Sequence, residues 1–165
     1  MLSLESESQL FGPDNIALNE VSILKRDSAS MMIIHVELNG QHLNSYWTDG
    51  LIISTSTGST AYSLSCGGPI LMPGGGNFVI TPIAPHNLNV RPIVISDDSI
   101  LKLRIESRSD KSLVALDSRS LEVGNEELIH IRKAPYSLKI VQLEENSFIQ
   151  SLRNKLSWGL DKRNT

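Results

Sequence analysis

The chain has 165 residues, 40% of them apolar and 20% charged, with a net charge of −3. That length suits one domain with a substantial core, and the slight acidity leaves no general field for nucleic acid or an anionic membrane surface. Cys66 is the single cysteine, which excludes an intrachain disulfide framework and any cysteine-cluster metal site.

No apolar run approaches the roughly 20 residues of a membrane helix. Met1 is followed by LSLESES and not by the basic and then apolar segments of a signal peptide. A reducing, cytoplasmic setting is the simple expectation. Leu2 and Leu4 alternate with polar residues as if the chain began inside a strand, which suggests a piece cut from a longer protein.

Most of the remaining sequence reads as strands. Residues 16–24 are apolar but interrupted by Asn19 and Glu20. Residues 31–38 and 41–47 flank Asn39-Gly40, a dipeptide suited to the positive φ angles of a type I′ hairpin. Residues 51–54 read as a short buried strand. Further strands are expected at 78–83, 93–95, 100–106, 112–116, 120–123, 128–133 and 137–143. Turn residues separate them at short intervals, the pattern of an antiparallel sandwich or barrel.

Helix is scarce. Residues 59–66 allow about two turns, with Gly58 or Ser59 near the N-cap. Ser147 and Gln150 have capping-box spacing, and Phe148, Ile149, Leu152 and Leu156 then share one helical face. Arg153 and Lys155 sit where cations favour the helix dipole, and Gly159 is the expected stop. The sequence shows no repeats or low-complexity tract, and PGGGN (73–77) reads as a loop.

Two features carry chemistry. In DGLIISTSTGSTAYSLSCGGPI (49–70) a strand runs into a hydroxyl-rich turn and then a short helix. The first amides of a helix lack internal partners and sit at its positive end, so such a turn can seat phosphate oxygens. Tyr62 could lay its ring on a base, or fill the core; the Ser and Thr residues could equally just cap the helix. The second feature is the Asn19-Glu20 pair within an apolar stretch. A carboxylate there is costly to bury unless it receives hydrogen bonds, and a ribose diol can donate two; Asn19 could serve the same diol. The plain alternative is an edge strand with Glu20 in water. Asp49 could accept from an amide or cap a turn.

These blocks, ALNEVSI, DGLIISTSTGSTAYSLSCGGPI, ITPIAPHNLNVRPIVIS and the tail LRNKLSWGLDKR, resemble in order and spacing the C-terminal domain of NAD kinases. The resemblance covers about residue 15 to the end. It implies a mainly β, sandwich-like domain that binds NAD and mediates assembly into a homodimer or homotetramer. By resemblance, Asn19 and Glu20 bind the ribose hydroxyls and position the 2′-OH. Thr57, Thr60, Ala61, Tyr62 and Ser65 line the dinucleotide pocket, Asp49 contacts the nicotinamide end across a subunit boundary, and Ala84 lies in a segment closing the pocket. His86 and Arg91 belong to the motif without an assigned role. ATP, with magnesium, would be the phosphate donor, giving NADP.

The sequence departs from the family at two points. The Gly-Gly-Asp-Gly motif, whose aspartate would activate the acceptor hydroxyl, does not occur in these 165 residues. No catalytic residue or metal ligand is therefore assigned, and this chain is expected to bind better than it catalyses. At LDSRS (116–120) the family usually has Asp-Gly, which leaves the role of Asp117 open. Two other readings remain: a non-catalytic NAD-binding or oligomerisation module, and a lipid kinase of related architecture.

Overall fold

The computed structural model describes residues 1–26, 31–125, 127–139, 141 and 147–158. Its strands are β1 (Leu2–Ser6), β2 (Ile16–Ala17), β3 (Glu20–Lys25), β4 (Met32–Leu38), β5 (Gln41–Thr48), β6 (Gly50–Ser54), β7 (Asn77–Ile83), β8 (Ile93–Ser96), β9 (Leu101–Ser107), β10 (Lys111–Leu116), β11 (Arg119–Gly124) and β12 (Leu128–Lys133). The helices are α1 (Tyr62–Ser65) and α2 (Phe148–Leu156).

The strands form two six-stranded sheets, ordered β2-β1-β12-β9-β4-β5 and β11-β10-β3-β6-β7-β8. Neighbours pair antiparallel throughout, as in β3 with β6 and β1 with β12. The alternating pattern of β9, with Leu101, Leu103 and Ile105 buried between polar Lys102, Arg104 and Glu106, shows why: one face of the sheet meets the core and the other meets water. Leu4, Val21, Ile34, Leu51, Ile80, Val114 and Ile131 join the two sheets through one apolar core. The mainly β sandwich read from the sequence is the fold observed.

The Asn39-Gly40 hairpin forms as expected, with φ of 52° and 78°. The interrupted strand at 16–24 turns out to be two: β2 lies in one sheet and β3 in the other, and residues 18–19 make the crossing. A polar break is what a chain needs where it leaves one ladder for another. Residues 137–139 are not strand, contrary to expectation, and the rest of that segment lies largely outside the described residues.

Ser147 caps α2 by accepting the Gln150 N–H at 3.1 Å. The helix ends earlier than read from Gly159, which lies outside the described residues. Ser157 takes the left-handed conformation at φ 54°, and the Trp158 N–H donates to the Arg153 carbonyl at 3.1 Å, closing the last turn in the Schellman manner.

Candidate functional site

The end of the second sheet where β3 begins and β6 ends gathers the site. Glu20 pairs with Ser54 across the two strands, so the residues after Ser54 pass directly over the Asn19-Glu20 segment. Thr55 ties them together: its N–H donates to the Asn19 carbonyl at 2.9 Å, and its hydroxyl reaches the Leu18 carbonyl at 2.8 Å. Thr57 adds a hydroxyl bond to Thr55 at 2.9 Å. Gly58 has no room for a side chain, because a Cβ there would collide with the backbone of Asn19.

A 3-10 turn at Gly58–Thr60 is broken at Ala61 (φ −102°, ψ −128°), and α1 restarts with Tyr62. The helix expected at 59–66 is therefore two short pieces. The hydroxyls and amides expected to seat phosphate are largely spent inside the fold. Ser59 donates to the Ser56 carbonyl at 2.7 Å and accepts the Leu71 N–H at 2.9 Å. The Ser59 N–H donates to the Thr55 carbonyl, and the Gly58 N–H to the Thr55 hydroxyl. Ser63 pairs with Thr81 at 2.8 Å, both fully buried.

The Tyr62 backbone N–H lies near the Glu20 carboxylate and favours its charged form. Glu20 is half-buried, and its Oε2 is shielded from water without a hydrogen-bond partner. Burial raises its pKa above the usual carboxylate range; the nearby Asp117 charge adds to that rise, and the Tyr62 N–H opposes it. A shielded acceptor with no donor suits a ligand hydroxyl. The Tyr62 ring, 39% exposed, stands beside it, and Glu20 is among the charges that push its hydroxyl's pKa up, after burial and Cys66. Burial, then Glu20, also raises Cys66, keeping it a thiol and so a poor nucleophile. Thr57, Ala61 and Ser65 are exposed, and Thr60 is half-buried. A hollow of about 170 Å³ lies alongside, lined by Leu18, Thr55, Ser56, Thr57 and Gly74 among others.

Asp49 and Ala84 lie elsewhere. Gly50 pairs with Ile83, and the Asp49 N–H donates to the Ile83 carbonyl at 3.0 Å, so the two residues share the opposite end of β6. Five positions separate Asp49 from Ser54, roughly 17 Å along a strand. Asp49 is paired with Lys25 at 2.7 Å. Ala84 holds a left-handed φ of 45°, an uncommon conformation for a residue other than glycine. His86 donates its N–H to the Trp47 carbonyl at 2.8 Å, and Arg91 turns back on the carbonyls of Leu88 and Val90; both support the loop that follows β7.

Sequence reasoning left the role of Asp117 open. It lies in the two-residue turn between β10 and β11, where the left-handed residue is Asp117 itself (φ 52°) and not Ser118, so the absent glycine causes no strain. Its carboxylate accepts the backbone N–H groups of Leu18, Asn19 and Glu20. Among the described residues, no three His, Cys, Asp or Glu side chains gather to hold a metal ion.

A family model described as the ATP-NAD kinase C-terminal domain matches residues 18–143. An NAD kinase of Flavobacterium psychrophilum is 54% identical over 150 residues, covering 91% of this chain and 51% of the relative. One of Bacteroides fragilis is 54% identical over 147 residues, covering 89% and 51%. Among solved structures, yeast NADH kinase complexed with NADH matches with a TM-score of 0.83 at 23% identity, over 99% of this chain and 50% of that one. An NAD kinase from Archaeoglobus fulgidus in complex with ATP matches with a TM-score of 0.71 at 29% identity, over 82% and 51%. The chain spans about half the length of the relatives it matches. With that match over most of its length, and with the two-sheet fold in common, this chain belongs to the NAD kinase family and carries its C-terminal domain.

Proposed function

We propose that this chain is the dinucleotide-binding part of an NAD kinase, a phosphotransferase that moves the γ-phosphate of ATP onto the adenosine 2′-hydroxyl of NAD to give NADP. The observation that carries the reading is the shielded, unpartnered Oε2 of Glu20 beside the exposed Tyr62 ring. A ribose diol supplies the missing donor, and an attached base supplies a flat face for the ring.

Asn19 and Glu20 orient the diol so that the 2′-oxygen faces outward. Thr57, Thr60, Ala61, Tyr62 and Ser65 line the base and phosphate path. Asp49 and Ala84, at the far end of β6, meet the nicotinamide end of a dinucleotide held by a neighbouring copy, in a homodimer or homotetramer. No residue of this chain is assigned to proton abstraction, since the Gly-Gly-Asp-Gly run does not occur in it. ATP is the proposed donor, in keeping with the ATP bound to the Archaeoglobus fulgidus relative. Magnesium accompanying ATP would neutralise charge on the transferring group; the described residues supply no cluster for it, and it is assigned no ligand here. Taken alone, the chain binds and presents the acceptor without transferring phosphate.

Calorimetric titration of the 165-residue chain with NAD tests the reading. Saturable binding that Glu20→Gln removes supports it. Absence of heat at millimolar NAD, or binding that ignores Glu20→Gln, overturns it for this chain.

A further inference from the structure

The segment at residues 18–20 has an unusual need. It crosses from β2 in one sheet to β3 in the other, where its amides cannot all find partners in a ladder, and buried amides must be paired. Asp117 meets that need from the far side of the sequence. Its Oδ2 accepts the Leu18 N–H at 2.8 Å. Its Oδ1 accepts the N–H of Asn19 at 2.8 Å and of Glu20 at 3.0 Å. The Asp117 N–H donates back to the Glu20 carbonyl at 3.0 Å. Four hydrogen bonds thus lock two segments that lie 97 to 99 positions apart.

A neutral side chain cannot reproduce this. Asparagine, the other residue that tolerates a left-handed turn, has one acceptor oxygen, and its NH2 group would face amide donors. Three amides converging on one carboxylate are charge-assisted bonds, stronger and shorter than neutral ones. The geometry also sets what surrounds Glu20: Asp117 from the β10–β11 turn, and Tyr62 and Cys66 from α1 and its end. Asp117 spends its own oxygens on backbone, and its negative charge disfavours the ionised form of Glu20. Any shift in this clamp moves both side chains of the Asn19-Glu20 pair together.

We infer that Asp117 is the positioning residue of the site, holding the Asn19-Glu20 pair through its backbone in the pose that a ribose diol requires. The nature of the ligand rests on the proposed function; the clamp does not. The side chain touches no ligand, and its effect reaches the ligand only through Glu20 and Asn19.

The test compares Asp117→Asn, Glu20→Gln and the double variant in the 165-residue chain, titrated with NAD and with 2′-deoxy-NAD, while NMR follows the Glu20 carboxyl in the free protein. The expected result is that Asp117→Asn weakens NAD at least about tenfold, weakens 2′-deoxy-NAD far less, and adds little to Glu20→Gln. The free variant should also titrate Glu20 at lower pH than the parent, because a neighbouring negative charge has gone. Equal losses for both ligands, or full additivity with Glu20→Gln, would overturn the inference. Should NAD fail to bind the parent chain, the proposed function falls. The clamp is then judged by amide hydrogen exchange at Leu18, Asn19 and Glu20 in the free Asp117→Asn protein, where unchanged protection refutes it. If Asp117→Asn does not fold, Asp117→Glu keeps the charge and displaces the oxygens by one methylene. It should lose discrimination between the two nucleotides while Glu20 still titrates high; retained discrimination counts against the clamp.

Discussion

Gly58 lies against the Asn19 carbonyl so closely that a Cβ at position 58 would stand 2.1 Å from that oxygen. The contact joins the two sequence features that carry the chemistry, and it leaves neither backbone free to yield. Both are pinned, one by Thr55 and the other by Asp117. Gly58→Ala is expected to cost about 1–3 kcal/mol through overpacking and to displace Asn19. A lowered melting temperature together with weakened NAD binding is the outcome to look for. An alanine variant as stable as the parent would mean that the turn can lift away from Asn19.

Tyr62 presents an exposed ring at the mouth of the site. Tyr62→Ala should weaken NAD by at least about 1 kcal/mol, near fivefold, through lost stacking. The change leaves the Tyr62 backbone N–H beside Glu20 in place, so the proposed diol interaction should persist. Titration with NAD and with a ribose-only fragment separates the two: the fragment should bind the variant as it binds the parent.

Glu20 predicts opposite pH trends for stability and for binding. Burial, and then the Asp117 charge, hold its folded pKa above the ordinary one. Between those two values the folded chain holds a proton that the unfolded chain has released, so this group's contribution to stability falls as pH rises through the window. Relative to the parent, Glu20→Gln should therefore be more stable near pH 7 than near pH 4. The difference should stay below about 1 kcal/mol, because solvent still screens a half-buried carboxylate. A diol donates to the ionised carboxylate, so NAD affinity should drop as pH falls through the same window, by up to about tenfold for each step of one in pH. Melting curves and calorimetry across that range check both trends, and parallel trends would contradict the assignment.

Ser63 and Thr81 are fully buried and satisfy one another across 2.8 Å, with Gly68 packed against both hydroxyls. Ser63→Ala should cost about 1–3 kcal/mol by stranding the Thr81 hydroxyl. Ser63→Ala with Thr81→Val should cost less than the sum, since both polar groups then leave. Denaturant unfolding of the two single variants and the double measures that coupling directly.

The strands were legible because alternation and turn residues speak for themselves: β9 alternates along its whole length, and Asn39-Gly40 closes its hairpin as its residue types require. The crossing at residues 18–19 was not, since a local pattern shows a polar break without showing that the flanking strands belong to different sheets. In the site, Tyr62 stands near Glu20 and Thr57 reaches the Leu18 carbonyl. In the hydroxyl-rich turn the plain structural reading holds for Thr55, Ser59 and Ser63, which fasten it to Leu18, Leu71 and Thr81. The role of Asp117 stayed open because its partners are backbone amides almost a hundred positions away, and an amide leaves no mark on a sequence.

The pairing of β1 with β12 carries a consequence for how the domain comes into being. Leu2 lies opposite Lys133, and Leu4 opposite Ile131, so the first of these strands to leave the ribosome has its neighbour among the last. The sheet containing both cannot close before β12 has been made, although β2 can pair with β1 early. The crossing that places Glu20 starts from β2. Glu20 reaches its final pose only once Asp117, 97 positions later, is in place, and contacts of such long sequence separation make that closure a slow event in folding.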